Sequence, residues 1–313
     1  MKVLTVSPRG FCAGVRRAID IVDLALQKFP PPIYVRKEIV HNKSVVDDFR
    51  RRGVIFVDQI EDAPENSCLI FSAHGISPTV RDLAKSKNLR TIDATCPLVT
   101  KVHFEVHRFL REGYCLLLIG HKDHDEVEGT MGEAPGKIQL VENTEDVDRL
   151  QVSNPDRVMV LTQTTLSIDE TKGILSAIRK RFPKSKTPPK DDICYATQNR
   201  QDAVRELLTK GTEVLLVVGS KNSSNSQRLC EVARDRGAHS YLIDRASEIN
   251  PEWLKGVKTV GLTAGASAPE FLVQEVVKLL HDKYGAETEE IFVREENVIF
   301  SLPKELAGAT AVR

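Results

Sequence analysis

The feature that most restricts this chain is a cysteine set three times in one local pattern. Cys12 stands in Gly10-Phe11-Cys12-Ala13-Gly14, after the apolar run 3–6 and before Val15, Ala18, Ile19, Val22 and Leu26 at helical spacing. Cys96 follows Thr91-Ile92-Asp93-Ala94-Thr95 and precedes Pro97, a residue suited to the first helical position, with Val99, Val102, Val106, Phe109 and Leu110 beyond it. Cys194 follows Asp191-Asp192-Ile193 and leads a helix pattern carrying Val204, Leu207 and Leu208. A thiol at such a strand-to-helix turn meets free backbone N–H groups and the positive end of the helix dipole, both of which favour the thiolate.

A second polar loop follows each cysteine at nearly equal distance. The offsets are 29, 28 and 29 residues, from Cys12 to His41, Cys96 to His124 and Cys194 to Ser223. A third loop then supplies an imidazole or hydroxyl: Ser72-Ala73-His74-Gly75, Gln163-Thr164-Thr165 and Thr263-Ala264-Gly265-Ala266-Ser267. Between the loops lie Val/Ile/Leu runs such as 69–71, 116–119, 158–161 and 214–218, which alternate with helical patterns. That alternation predicts an α/β fold of parallel sheets covered by helices, built as three similar units. The expected boundaries are 14–96, 97–193, and 1–13 with 194–281; 282–313 is a C-terminal extension. The extension is expected to hold one strand at 298–300 and a poorly ordered end from Ala307 to Arg313. In open parallel sheets ligands bind at the carboxyl ends of strands, where all these loops fall.

Composition narrows the chemistry. At 313 residues the chain exceeds one ordinary core, and Lys+Arg and Asp+Glu balance at 44 each. A general nucleic-acid or membrane binder carries a basic excess, so neither partner is expected. No apolar run reaches spanning length, and the first residues do not form a secretion signal, so a cytoplasmic setting is expected. Six cysteines there should be reduced, metal-bound or buried. Cys68, Cys115 and Cys230 lie in apolar contexts and read as buried; His103, His107, His121, His239 and His281 read as mostly surface residues.

Three thiolates brought together would hold something soft and multivalent: zinc, copper(I) or an iron–sulfur cluster. The close cysteine pairs of structural zinc sites and the clustered cysteines of ferredoxins are both absent. A cluster held by three thiolates leaves one iron open to substrate oxygen. His41, His74, His124, Ser223, Ser224, Asn225 and Ser267 are compact polar groups near expected helix starts, suited to one shared anion. No phosphate loop of the nucleotide-binding kinds occurs, which argues against nucleoside triphosphates and dinucleotides. Glu126, the carboxylate inside the second unit's polar loop, reads either as a proton donor near the metal or as a solvated loop acid. Three classes fit these residues: a reductase, a redox-neutral cluster dehydratase, and an iron–sulfur sensor or carrier.

From the first strand to about residue 281 the chain resembles the hydroxymethylbutenyl diphosphate reductase family. The resemblance rests on Gly10-Phe11-Cys12-Ala13-Gly14-Val15, Val40-His41-Asn42, Ser72-Ala73-His74-Gly75, Asp93-Ala94-Thr95-Cys96-Pro97, the run 124–130, Gln163-Thr164-Thr165, the run 193–197, the run 220–225 and the run 263–269. It implies a trefoil of three α/β units around a [4Fe–4S] cluster ligated by Cys12, Cys96 and Cys194. It implies a diphosphate held by His41, His74, Ser223, Asn225 and Ser267, with His124 and Ser224 close by. Glu126 would feed protons, and Thr164 would help orient the substrate hydroxyl. The substrate would be the small allylic alcohol diphosphate, reduced to isopentenyl and dimethylallyl diphosphates by an external donor such as ferredoxin or flavodoxin. Asp125 stands where the family pattern has proline, a departure that bears on the shape of that loop.

Overall fold

Apolar residues in strand runs that are buried on both faces need a helix layer on each side, and that requirement shapes this chain. The computed structural model describes residues 1–306. In chain order the elements are β1 (Lys2–Ser7), α1 (Ala13–Lys28), β2 (Ile33–Arg36), α2 (Lys43–Arg51), β3 (Val54–Val57), β4 (Cys68–Phe71), α3 (Pro78–Ser86), β5 (Arg90–Asp93), α4 (Pro97–Arg111), β6 (Cys115–Ile119) and α5 (Asp125–Gly132). They continue as β7 (Ile138–Val141), α6 (Thr144–Val147), β8 (Val158–Thr162), α7 (Ile168–Arg181), α8 (Tyr195–Thr209), β9 (Val214–Val218), α9 (Ser224–Arg234), β10 (His239–Ile243), β11 (Thr259–Ala264), α10 (Glu270–Tyr284) and β12 (Glu287–Phe292). The strands form three parallel sheets, ordered β10-β9-β11-β1-β12, β3-β2-β4-β5 and β7-β6-β8.

The chain divides into two compact units. One comprises 1–15, 40–49 and 195–299 and contains the five-stranded sheet. Along β9 the side chains alternate: Val214, Leu216 and Val218 pack with α10 residues such as Val273 and Val276, while Leu215 and Val217 pack with Val204 and Leu207 of α8 and Leu229 of α9. That is the period-two signature of a strand covered on both faces. Gly285 takes the left-handed conformation (φ 59°) that ends α10 and turns the chain into β12. β12 lies beside β1 at the sheet edge. The strand expected at 298–300 is therefore misplaced: the extension's strand is Glu287–Phe292, and 298–300 pairs with no strand. The expectation for Ala307–Arg313 concerns residues outside those described.

The other unit comprises 16–39, 50–194 and, among the described residues, 300–306, and contains the four- and three-stranded sheets. In the latter, Leu117, Ile119, Val158 and Val160 face Ile174 and Ile178 of α7, while Leu116, Leu118, Met159 and Leu161 face Val102, Val106 and Phe109 of α4. The basic connector after α7 is partly built in, since Lys186 exchanges backbone hydrogen bonds with Val158 and Val160 of β8.

Two expectations about side chains are corrected here. Cys115 is only half-buried, its Sγ 3.3 Å from Ser153 Oγ, because it opens β6 at the rim of the sheet. His103 is buried rather than superficial, because it lies on the core face of α4 and meets Glu133 at 2.8 Å.

Close backbone approach sets the position of α5. A Cβ on Gly129 would sit 3.3 Å from the Gly75 backbone, and one on Gly132 only 2.3 Å from Ser77 Cβ. Gly132→Ala is therefore expected to destabilise the protein by ~1–3 kcal/mol, the range for overpacking. Gly173→Ala, in α7 with open space around it, should instead stabilise by about 0.5–1 kcal/mol. Urea midpoints of the two variants check the pair; equal shifts would show that α5 is not held by this approach.

Candidate functional site

The sequence-predicted residues lie in or just after loops that follow strands, in both units, except Cys194: expected at a strand-to-helix turn, it is reached from α7 through the segment 182–193, which forms no strand. In the unit containing β1, Cys12 immediately precedes α1, and the Val15 N–H points at its Sγ at 3.5 Å. The Cys12 N–H donates to Ala266 O at 3.1 Å, tying the cysteine turn to the loop that carries Ser267. Gly10 holds φ 65°, and a Cβ there would stand 3.1 Å from Ala268 O, so the turn suits glycine. Beneath it the fully buried Arg200 guanidinium donates twice to Gly10 O, at 3.1 and 2.7 Å, and pairs with Glu296.

Ser223, Ser224 and Asn225 begin α9 and are all buried. Ser223 Oγ caps the helix by accepting from the Ser226 N–H and hydroxyl. Asn225 Oδ1 accepts from the Ala266 N–H at 2.8 Å, which aims its Nδ2 elsewhere; that nitrogen is buried with no protein partner among the described residues. Ser267 Oγ donates to His41 O at 2.8 Å, and His41 Nδ1 lies 3.4 Å from Asn222 Nδ2. His41, Ser223, Ser224, Asn225 and Ser267 thus belong to linked loops around one helix N-terminus, an anion-binding arrangement with a donor to spare. Ser226 is the residue that sequence reasoning missed here. It is fully buried, and a Cβ on Gly219 or Gly265 would fall 2.2 or 2.0 Å from its Oγ. Two glycines at the ends of adjacent strands were the available signal.

In the other unit, Cys96 is the N-cap of α4, with Pro97 as the first helical residue. Its N–H donates to Ala73 O, the residue before His74. Cys194 directly precedes α8, and its N–H donates to Thr164 O at 3.0 Å. His124 caps α5 by accepting the Glu126 N–H at Nδ1 (3.1 Å), which leaves its proton on Nε2. The His74 and His124 rings meet edge to face, centroids 5.9 Å apart, and Asp125 Oδ2 lies 3.9 Å from His74 Nδ1. Asp125 is the first residue of α5, so the helix starts normally without proline.

Glu126 is 3% exposed. Its Oε1 accepts the Thr164 N–H at 2.7 Å and its Oε2 meets Thr164 Oγ1 at 2.9 Å. Burial pushes its pKa up to about 7; the nearby charge of Asp192 adds to this, and the two Thr164 bonds oppose it. The solvated-loop-acid alternative is thereby excluded. Asp192 itself was missed as part of this region. Its Oδ2 accepts the Thr162 N–H at 3.0 Å and its Oδ1 meets Lys101 Nζ at 2.7 Å. The same ammonium donates to Lys190 O and Asp191 O, so one α4 side chain pins the strand of residues that ends in Cys194. Burial alone would lower the Lys101 ammonium; the Asp192 bond overrides it and holds the group above its ordinary value.

The remaining cysteines differ. Burial pushes the thiols of Cys68 and Cys230 up to about 11, which suits inert core residues. Cys12 in one unit and Cys96 and Cys194 in the other are half-buried at helix starts and belong to no disulfide.

With the geometry established, comparison with known proteins is decisive. A family model described as LytB protein matches residues 3–281. The chain belongs to the LytB family. A protein of Aeromonas salmonicida named 4-hydroxy-3-methylbut-2-enyl diphosphate reductase is 56% identical over 309 residues, covering 98% of this chain and 99% of the relative. One of the same name from Rhodococcus jostii is 53% identical over 309 residues, covering 98% and 92%. The solved E-1-hydroxy-2-methyl-but-2-enyl-4-diphosphate reductase of Plasmodium falciparum superposes with a TM-score of 0.94 at 41% identity, covering 97% of this chain and 96% of that one. The LytB fold accounts for three parallel sheets in one chain, and no helix among the described residues is long and apolar enough to cross a membrane.

The Lys101 contacts predict a measurable effect. Lys101→Met leaves the Asp192 carboxylate, 1% exposed, without its counter-ion, and should destabilise by ~3–5 kcal/mol. Adding Asp192→Asn should recover much of that loss. Denaturant titration of both variants checks it; a double variant no more stable than Lys101→Met would mean that the ammonium acts through Lys190 and Asp191 alone.

Proposed function

We infer that this chain catalyses the reductive dehydroxylation of 4-hydroxy-3-methylbut-2-enyl diphosphate to isopentenyl and dimethylallyl diphosphates. The reaction takes up two external electrons and two protons and releases one water. The observation that carries the reading, beside membership of the LytB family, is the buried Glu126 carboxyl bonded to Thr164 at both oxygens.

In this reading Cys12, Cys96 and Cys194 hold a [4Fe–4S] cluster, which three half-buried thiols outside any disulfide, each at a helix N-terminus, support. When bound, the cluster supplies electrons and an iron free of protein thiolate that acts as a Lewis acid. Ser223, Ser224, Asn225, His41 and Ser267, with His74 and His124, hold the diphosphate; the unpartnered Asn225 Nδ2 is the donor most plainly awaiting an oxygen. His124 carries its proton on Nε2 and so offers a donor too. The three α/β units 14–96, 97–193 and 1–13 with 194–281, extended by 282–313, are the proposed division, supported by the three separate sheets. A cytoplasmic setting and an external electron donor such as ferredoxin or flavodoxin fit reduced cysteines and an external electron supply.

Proton delivery follows from the Glu126–Thr164 geometry. With its pKa pushed up to about 7, Glu126 is largely protonated below neutral pH. A proton on Oε2 reverses the bond to Thr164 Oγ1: the carboxyl donates and the threonine hydroxyl accepts. The Thr164 O–H is then free to donate onward to the substrate hydroxyl, which leaves as water. Asp192 beside Glu126 disfavours a second negative charge there, which keeps the acid form available.

Two experiments test this. Serine replacements of Cys12, Cys96 and Cys194 should each lose the cluster on iron and sulfide analysis, while Cys68→Ser, Cys115→Ser and Cys230→Ser keep it; a fully loaded Cys194→Ser would remove that ligand assignment. For the proton, Glu126→Gln should keep cluster and substrate binding and lower kcat by roughly 10²-fold or more. The raised pKa means that the competent acid form is present below about 7 and is lost as pH rises through it, so wild-type kcat/KM should fall on the alkaline side with a midpoint near 7. The residual activity of Glu126→Gln should lack that limb. Turnover that consumes no reductant would point instead to a dehydratase.

A further inference from the structure

The proposed reaction draws its electrons from outside the chain, and the inference that follows rests on that reading. We propose that the outer face of α4, centred on Phe104, is the docking surface for an acidic one-electron carrier protein. Thr95 and Pro97, the two chain neighbours of Cys96, line an open cavity of about 870 Å³, together with Phe104 and Arg17. A second cavity of about 710 Å³ shares Phe104, His107 and Arg111 and extends to Pro135 and Lys137. The phenyl ring of Phe104 stands between these hollows, 70% exposed. An exposed aromatic ring among arginines is the composition of an interface core rather than of ordinary surface.

The charges around it point one way. Two acids in the lining are turned inward and paired, while Asp93 is 43% exposed: Glu133, with a side chain 6% exposed, binds His103 and His107, and Glu105, 13% exposed, lies 3.3 Å from Lys101. Asp93 pairs with Arg81 at 3.4 Å, and Arg108 is matched by Glu112. The outward cations are not neutralised in this way. Arg17 donates to the carbonyl oxygens of Thr95, Asp93 and Ser301, and Arg111 and Lys137 make no ion pair among the described residues. The whole chain is formally neutral, so this basic face is a local excess. A partner with an acidic face is steered to it, at a rate that falls with ionic strength. Such a partner arrives beside Cys96, the N-cap of α4 and a proposed cluster ligand. Each turnover consumes two electrons, so two reduced carriers dock in succession and each leaves oxidised by one electron.

The test uses the cluster-loaded full chain under anaerobic conditions. Phe104→Ala and the double variant Arg111→Glu/Lys137→Glu are assayed with reduced ferredoxin, with reduced flavodoxin, and with dithionite and methyl viologen. Calorimetry measures carrier binding directly. The expected result is a loss of at least 10-fold in rate and affinity with the protein carriers, a flattened salt dependence in the double variant, and an unchanged rate with methyl viologen. Unchanged rates with both carriers would overturn the proposal, as would equal losses with carriers and viologen, which would place the residues in the enzyme's own working parts. A dimer of wild-type protein in sedimentation that Phe104→Ala dissolves would assign the face to self-association and also overturn it. No turnover of wild type with viologen would instead defeat the reductase reading on which the proposal stands.

Discussion

Parallel strands cannot be joined by tight turns, and that constraint underlies the rest of this molecule. Each strand must be followed by a crossover, so each carboxyl end hands the chain to a loop and then to a helix N-terminus. Such ends offer unpaired N–H groups and the positive pole of the helix dipole. Cys12 before α1, Cys96 before α4, His124 before α5 and Ser223 before α9 all occupy this one kind of position; Cys194 before α8 shares only the helix N-terminus, since the chain reaches it from α7 and not from a strand. What such an end suits differs with its side chain: sulfur suits a soft metal, imidazole and hydroxyl suit an anion.

Backbone bonds, more than side-chain packing, tie these positions into sets. The Cys12 N–H reaches Ala266 O while the Ala266 N–H reaches Asn225 Oδ1, so one residue couples a thiol turn to the start of α9. The Cys194 N–H reaches Thr164 O while the Thr164 N–H reaches Glu126 Oε1, which couples a thiol turn to a buried carboxyl. In each case the peptide of the middle residue is used on both sides, so neither loop can shift alone. Ser226 wedged against Gly219 and Gly265, and Gly129 and Gly132 against the 75–77 turn, hold the corresponding helices close enough for those bonds to form.

Much of this was legible in the sequence because it follows from period and spacing. The runs 69–71, 116–119, 158–161 and 214–218 became β4, β6, β8 and β9, since fully buried strands are written as unbroken apolar runs. β12 was not legible: Glu287-Thr288-Glu289-Glu290 carries no apolar signal, because an edge strand is half solvated and its charges discourage further pairing. Val298-Ile299-Phe300 has the apolar signal and no partner strand, so composition alone misled there. At the site, the cysteines, histidines and hydroxyls could be found by their repeated offsets. Lys101, Asp192 and Arg200 could not, because each acts through a contact between segments that are far apart in the chain.

Asp192 and Glu126 show how two buried acids near one another are given different tasks. Asp192 faces an ammonium at 2.7 Å and a backbone N–H at 3.0 Å, and the bonds of the Glu126 carboxyl among the described residues come from the neutral donors of Thr164. A cationic partner compensates a buried carboxylate; neutral donors compensate it only in part, and burial then favours the uncharged acid. The charge that Lys101 helps to hold on Asp192 also acts on Glu126, raising its proton affinity further. The Lys101 cation on α4 therefore acts on the Glu126 carboxyl of α5 without touching it: the charge of Asp192 beside that cation makes the neighbouring negative charge harder to form. Burial beside a negative charge is how a fold keeps a carboxylic acid protonated near neutral pH.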